Sequence, residues 1–177
     1  MKRNIAALLA ALCLCLLPAC QAQPQQEEAP EEEAAPVAAE MHAAVSDPEG
    51  ALEEIYADID IKEIEPVDDD LMESLGFDLW NIEDYYARYS SGRYGLADVF
   101  IIKPYASDYE SVRECLETVK RDRIRKTEDY DILGSYRIAQ DTQIYQYGAY
   151  LIMLMLEDTA TAADIIQRYI PSTEQTR

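Results

Sequence analysis

Leu151-Ile152-Met153-Leu154-Met155-Leu156 is the stretch on which the fold turns. Six successive apolar residues are far too few for a membrane span, which needs about 20. A strand with one wet face alternates apolar and polar residues, whereas an unbroken run suits a central strand with both faces covered. Because Leu and Met also favour helix, a buried helix is the alternative reading of this run. The strand reading extends over Ala149 to Leu156. Tyr136 to Tyr145 reads as its partner strand, joined to it through Gln146-Tyr147-Gly148.

Working outward, Ala97-Asp98-Val99-Phe100-Ile101-Ile102-Lys103 is a second clear strand, bounded by Pro104. A turn at Ser91-Gly92-Arg93 connects it to a Tyr-rich strand over Asn81 to Ser90. Ser107-Asp108-Tyr109-Glu110 has the form of a capping box. The helix behind it carries Tyr109, Val112, Leu116 and Val119 at helical spacing, with Cys115 beside them as a core residue. Thr159 or Thr161 is placed to cap a last helix through Ile165, Ile166 and Tyr169, stopped by Pro171.

On the N-terminal side, residues 49–57 form a short helix with Leu52, Ile55 and Tyr56 on one face. Asp68-Asp69-Asp70 then opens a helix that closes at Gly76, with acids where the helix dipole favours them. The triplet lacks the alternating ligands, central Gly and terminal Glu of a calcium loop. The order of these elements predicts a single α+β domain over 48–177. Its sheet is mainly antiparallel, of about four strands, with helices packed on one face.

The chain ahead of this domain carries an address. Lys2 and Arg3 precede an apolar stretch from Ile5 to Leu17, the length of a signal-peptide core (roughly 7–15 residues). It ends in Leu17-Pro18-Ala19-Cys20, which reads as a lipobox. Cleavage is expected between Ala19 and Cys20, with residues 1–19 removed and the Cys20 thiol taking a diacylglyceryl group. Residues 20–47 read as a disordered acidic tether of Pro, Gln, Glu and Ala, which cannot bury enough apolar surface to order itself. The expected address is the extracytoplasmic face of the cell membrane, with the lipid on Cys20 as the membrane contact. Cys115 is then the one thiol left without an assignment, so no intramolecular disulfide is expected.

Charge narrows the partners. The full chain carries a formal net charge of −20, and loss of Lys2 and Arg3 leaves 13 basic residues against 35 acidic ones, or −22. Such a surface repels nucleic acid. Against that background Lys120-Arg121-Asp122-Arg123-Ile124-Arg125-Lys126 stands out, with five basic residues in seven. One reading is complementation of a helix C-terminus. The other is a docking patch for an acidic wall polymer, lipid or protein.

No catalytic signature is present in the sequence. The only histidine, His42, sits in the tether without neighbouring ligands, so neither a metal role nor a Ser-His-Asp constellation is expected in the domain. Glu83-Asp84 and Glu128-Asp129 are adjacent acids of the kind that are ordinarily solvated. No cofactor is implied. Tyrosine is in excess, 13 against 2 Phe and 1 Trp. Tyr combines an apolar ring with a polar end and suits interfaces. The clusters Tyr85, Tyr86, Tyr89, Tyr94 and Tyr145, Tyr147, Tyr150 are therefore a candidate binding surface, or simply Tyr in place of Phe on half-exposed strands.

With these elements in place, the chain resembles a family of small, uncharacterised lipoproteins of Gram-positive bacteria with a C-terminal domain of unknown function. The likeness covers roughly residues 50 to 170. It rests on the element order, on Ala97 to Lys103, on the basic helix end at Lys120 to Lys126, and on Gly148-Ala149-Tyr150-Leu151. In that family an acidic pair is commoner than Asp98 followed by Val99. The resemblance implies no known activity. The reading of the residues is a membrane-tethered, non-enzymatic binding or interaction module, with an envelope protein or cell-wall component as partner. The alternative is an envelope enzyme, or an accessory subunit of one, working through carboxylates or Tyr.

Overall fold

A computed structural model describes residues 45–172. The signal segment, Cys20, His42 and most of the tether lie outside the described residues. Asp47 supplies the first cap: its side chain accepts from the Gly50 N–H, and Pro48 fits the first turn of α1 (Pro48–Tyr56). Ala51, Leu52 and Ile55 fall on one face of α1 and are buried.

The sheet has five strands: β1 (Ile64–Pro66), β2 (Ile82–Ser90), β3 (Asp98–Pro104), β4 (Gln143–Tyr147) and β5 (Tyr150–Met155). Their spatial order is β1-β2-β3-β5-β4, and every neighbouring pair is antiparallel. All six residues of β5 are buried, as are six of the seven in β3. The fifth strand, β1, was not anticipated. Three residues with a proline carry no periodicity, and β1 exists because β2 has an edge to pair.

The α+β class and antiparallel sheet agree with the sequence reading, but the expectation of helices on one face is corrected. Phe100, Ile102, Leu151 and Met153 point to a core closed by α2 (Asp69–Ser74), α3 (Tyr109–Glu128) and α4 (Ser135–Gln140). Val99, Ile101, Ile152 and Leu154 point the other way, into a core closed by α1 and α5 (Thr159–Tyr169). Successive strand residues face opposite sides, so an unbroken apolar run requires cover on both.

Three local expectations also change. Residues 136–140 are helical, forming α4 together with Ser135, because Ile138 and Ala139 are adjacent and both buried, which a strand with one wet face cannot achieve. The helix α3 begins after Asp108 with no side-chain cap; the Ser107 hydroxyl donates to the Asp108 carboxylate at 2.6 Å instead. The cap of α5 is Asp158, which accepts from the Thr161 N–H at 3.0 Å. By contrast α2 forms as expected, with Asp68 capping it and Gly76 in the left-handed region (φ +92°) at its end.

A clasp joins α1 to α5. The Tyr169 hydroxyl and Arg168 guanidinium hold the Glu54 carboxyl below its ordinary 4.5. Bonds from Thr161 likewise lower Asp158 from 3.8. A carboxyl whose folded pKa is depressed adds stability above its unfolded pKa and loses it as pH falls through the folded value. In so acidic a chain, protonation also relaxes general repulsion, so the test is a comparison of two proteins. Between about pH 6 and about pH 3, the Glu54→Gln/Asp158→Asn double variant is expected to lose less melting temperature, or gain more, than the parent. Equal pH dependence by circular dichroism would refute this.

Candidate functional site

The end of the sheet where β3 begins and β5 stops carries an apolar cleft with an acidic rim. Its first wall is local chemistry: Ile55 closes α1, and the chain then runs Asp58-Ile59-Asp60-Ile61. Period-two alternation turns Ile59 and Ile61 onto the core beneath α1 and α5 and leaves Asp58 and Asp60 exposed. Gly95, Leu96 and Ala97 form the floor as the chain enters β3, and Ala97 accepts a 2.7 Å hydrogen bond from the Tyr56 hydroxyl. Gly95 has φ +120°, and a Cβ there would lie 3.4 Å from Ile61 and 3.7 Å from Leu133. A bare backbone at this point leaves room for both Ile61 and Leu133 to approach the floor. Leu156, Ala162 and Ile165 complete the far wall, where Asp158 and Thr161 are engaged in the cap of α5.

The cleft encloses about 580 Å³, within the range of small-molecule sites (about 300–1,000 Å³). Five carboxylates line it, those of Glu54, Asp58, Asp60, Glu157 and Asp158, and no basic side chain does. Two of the five have partners on the outside: Arg168 pairs with Glu54, and Arg137 lies 3.8 Å from Glu157. Asp58 and Asp60 make no side-chain hydrogen bond or ion pair among the described residues.

Leu133 forms the lip. It is 78 % exposed and sits in the left-handed region (φ 53°, ψ 35°). A leucine there is unusual, and the conformation costs on the order of 1–2 kcal/mol. Backbone strain of this kind concentrates at ligand contacts.

Beneath the same end of the sheet lies a buried ion pair. Asp98 and Arg123 have side chains 0 % and 5 % exposed. Asp98 accepts from Arg123 Nε at 2.8 Å, from the Ser90 N–H at 2.8 Å and from the Ser90 hydroxyl at 2.6 Å. Arg123 also donates to the Ser90 carbonyl, and its guanidinium lies 3.8 Å above the Tyr89 ring. Burial pushes the Asp98 carboxyl up from its ordinary range, while Arg123 and the Ser90 donors oppose that rise. The pair joins the end of β2 to the start of β3 and so fixes the base of loop 91–97, which supplies the cleft floor.

Neither reading of the basic run anticipated a buried member. Arg123 continues the apolar stripe Val112, Leu116, Val119 by four residues, and Thr127 follows it, also buried. That spacing was the signal available in the sequence. Three of the four other cations go elsewhere: Lys120 donates to the Thr142 carbonyl, Arg121 to Thr118, and Arg125 pairs with Asp122. Cys115 is partly buried against the α3 core, and its thiol donates to the Gly76 carbonyl at 3.2 Å. Burial pushes that thiol upward, aided by Glu114 and Asp78.

The tyrosines do not converge. Tyr85 and Tyr89 pack on the α3 side, while Tyr86, Tyr145, Tyr147 and Tyr150 pack on the α1/α5 side, and Tyr94 is exposed in a loop beside Lys62. Three of the seven have hydrogen-bond partners: Tyr85 donates to Asp69, Tyr86 to Asp84 at 2.8 Å, and Tyr150 accepts from Ser46. The Asp84 bond, then burial, pushes the Tyr86 phenol up to about 12. None of the seven lines the cleft. Tyr85 and Tyr86 border a smaller depression of about 240 Å³ with Glu49 and Arg88. Among the described residues no helix is long and apolar enough to cross a membrane, and no group of His, Cys, Asp and Glu is arranged to hold a metal ion.

A family described as a domain of unknown function, DUF4358, matches residues 57–156, which is 100 of the 177 residues. The match spans the whole sheet, α2 to α4 and, of the cleft, the 58–61 segment, the floor and the lip; it leaves α1, α5 and most of the far wall outside it. No curated protein and no solved structure matches the chain significantly.

Proposed function

The chain belongs to the DUF4358 family of domains of unknown function, and from that premise we propose that it is a membrane-tethered extracytoplasmic binding module that takes its ligand in the cleft. The observation that carries the binding reading is the cleft itself. Folding ordinarily collapses apolar surface, yet here Ile59, Ile61, Leu96, Leu133 and Leu156 surround open space of about 580 Å³. Its lining is aliphatic and carboxylate, with no histidine, cysteine, lysine or tyrosine beside the acids. Two of its carboxylates accept from hydroxyls in structural contacts, Asp158 from Thr161 in a helix cap and Glu54 from Tyr169 in the clasp. This favours a non-enzymatic role, with a solute, a wall component or an envelope protein as the thing bound.

The tethering half of the proposal rests on the lipobox ending at Cys20 and the acidic segment after it. Geometry is compatible with it. The Asp47 N–H donates to the Tyr169 carbonyl at 3.0 Å, so the chain enters the domain where α1 begins and α5 ends. The cleft lies at the other end of both helices, about 13 Å along the nine residues of α1. Cys20→Ser is expected to move the protein from the membrane fraction to the soluble one, and the parent's intact mass should start at Cys20 with added acyl mass. A mature chain with a bare Cys20 would end the tether reading. For the cleft, the soluble Cys20→Ser chain should bind the neutral apolar dye Nile red saturably. Ile61→Trp, which fills the cleft, should abolish that binding.

A further inference from the structure

We infer that the cleft selects an organic cation: a molecule with an apolar body of drug-like size carrying an ammonium or amidinium group. This rests on the binding reading above and specifies its ligand. The first ground is charge complementarity. The lining offers five carboxylates and no cation, so a neutral apolar guest would lie beside uncompensated negative charge and an anion would be repelled. The second is which carboxylates are free. Glu54 is held by Arg168, Asp158 by its helix cap, and Glu157 lies near Arg137. Asp58 and Asp60 have no partner among the described residues. They project from the same short segment whose Ile59 and Ile61 face the apolar interior.

That alternation places a carboxylate rim one residue from an apolar wall, which matches a guest with a charged end and an apolar body. The N–H groups of the ammonium would donate to the Asp58 and Asp60 carboxylates while the body lies between Ile61, Leu96 and Leu133. The volume fits a single small molecule better than a protein helix. The surrounding field adds to the selection, because a net charge of −20 draws cations toward the domain from solution.

Three dansyl probes that share one apolar fluorophore test this: dansylcadaverine (cationic), dansylamide (neutral) and dansylglycine (anionic). Each is titrated into the full Cys20→Ser chain at low salt. The cation is expected to bind about tenfold more tightly than the neutral probe, and the anion more weakly still. Asp58→Asn/Asp60→Asn, two exposed substitutions, should bring the cation to the neutral probe's affinity. Added salt should weaken the cation alone. Leu133→Gly, which removes the lip at a position glycine accepts without strain, should weaken every probe that binds. Equal affinity of the cation and the neutral probe, unchanged by the Asp double variant, overturns the cation inference while leaving the cleft as a binding site. If no probe binds, or Leu133→Gly changes none of them, the binding reading falls with it.

Discussion

Arg123→Leu is expected to destabilise the domain by about 3–5 kcal/mol, against a typical total of about 5–15. The substitution leaves the Asp98 carboxylate wholly buried with only Ser90 as donor, and it removes the guanidinium that stacks on Tyr89. A buried ion pair contributes little when compared with two well-packed apolar residues, yet breaking it from one side is costly because the remaining charge stays out of water. The double variant Asp98→Val/Arg123→Met should therefore recover most of the loss. Urea unfolding measures both: the single variant's midpoint should fall by about 2 M with its slope unchanged. If the single variant loses no more than a surface substitution, the ion pair is not the tie that joins β2 to β3. Since the same pair anchors loop 91–97, Arg123→Leu should also weaken probe binding in the fraction that remains folded.

Phe100→Ala is the second large effect, expected to cost about 3–5 kcal/mol. Phe100 is fully buried on the central strand β3. Its ring stacks on Phe77, with centroids 6.0 Å apart, and meets Tyr89 edge-on at 6.3 Å. Truncation loses the apolar transfer term and leaves a void that rigid strands on both sides cannot close. Phe100→Leu, which keeps most of the volume, should cost well under half as much. Phe100 does not line the cleft, so affinity in the folded fraction should be unchanged. That separates this substitution from Arg123→Leu. A small loss in chemical denaturation would mean that the α3-side core is loosely packed.

Some of this was legible in the chain and some was not, for physical reasons that differ from element to element. β3 and β5 could be read because burial of both faces leaves an unbroken apolar record over successive residues. The same record called for cover on both faces, which the expectation of helices on one face did not carry through. The helix α4 could not be read: six residues make less than two turns, and Tyr136 and Ile138, two residues apart, mimic alternation. Nor could β1, whose three residues acquire their form from the β2 edge at Arg88 to Ser90.

The site divides along the same line. The lipobox-like stretch, the acidic segment behind it and the net charge depend on residue type and order alone, so the sequence by itself determined the expected address and argued against nucleic acid as a partner. It also determined the α+β class, through periodicities that span only neighbouring residues. The cleft was decided by tertiary structure alone. Its lining comes from residues 54–61, 95–97, 133, 138 and 156–165, none adjacent to the next segment, and a concave surface among them leaves no periodic mark. Arg123 shows the same limit in a single residue. Its position in a basic run marks it as solvated, and only the stripe from Val112 through Val119, together with an acid on a distant strand, turns it inward.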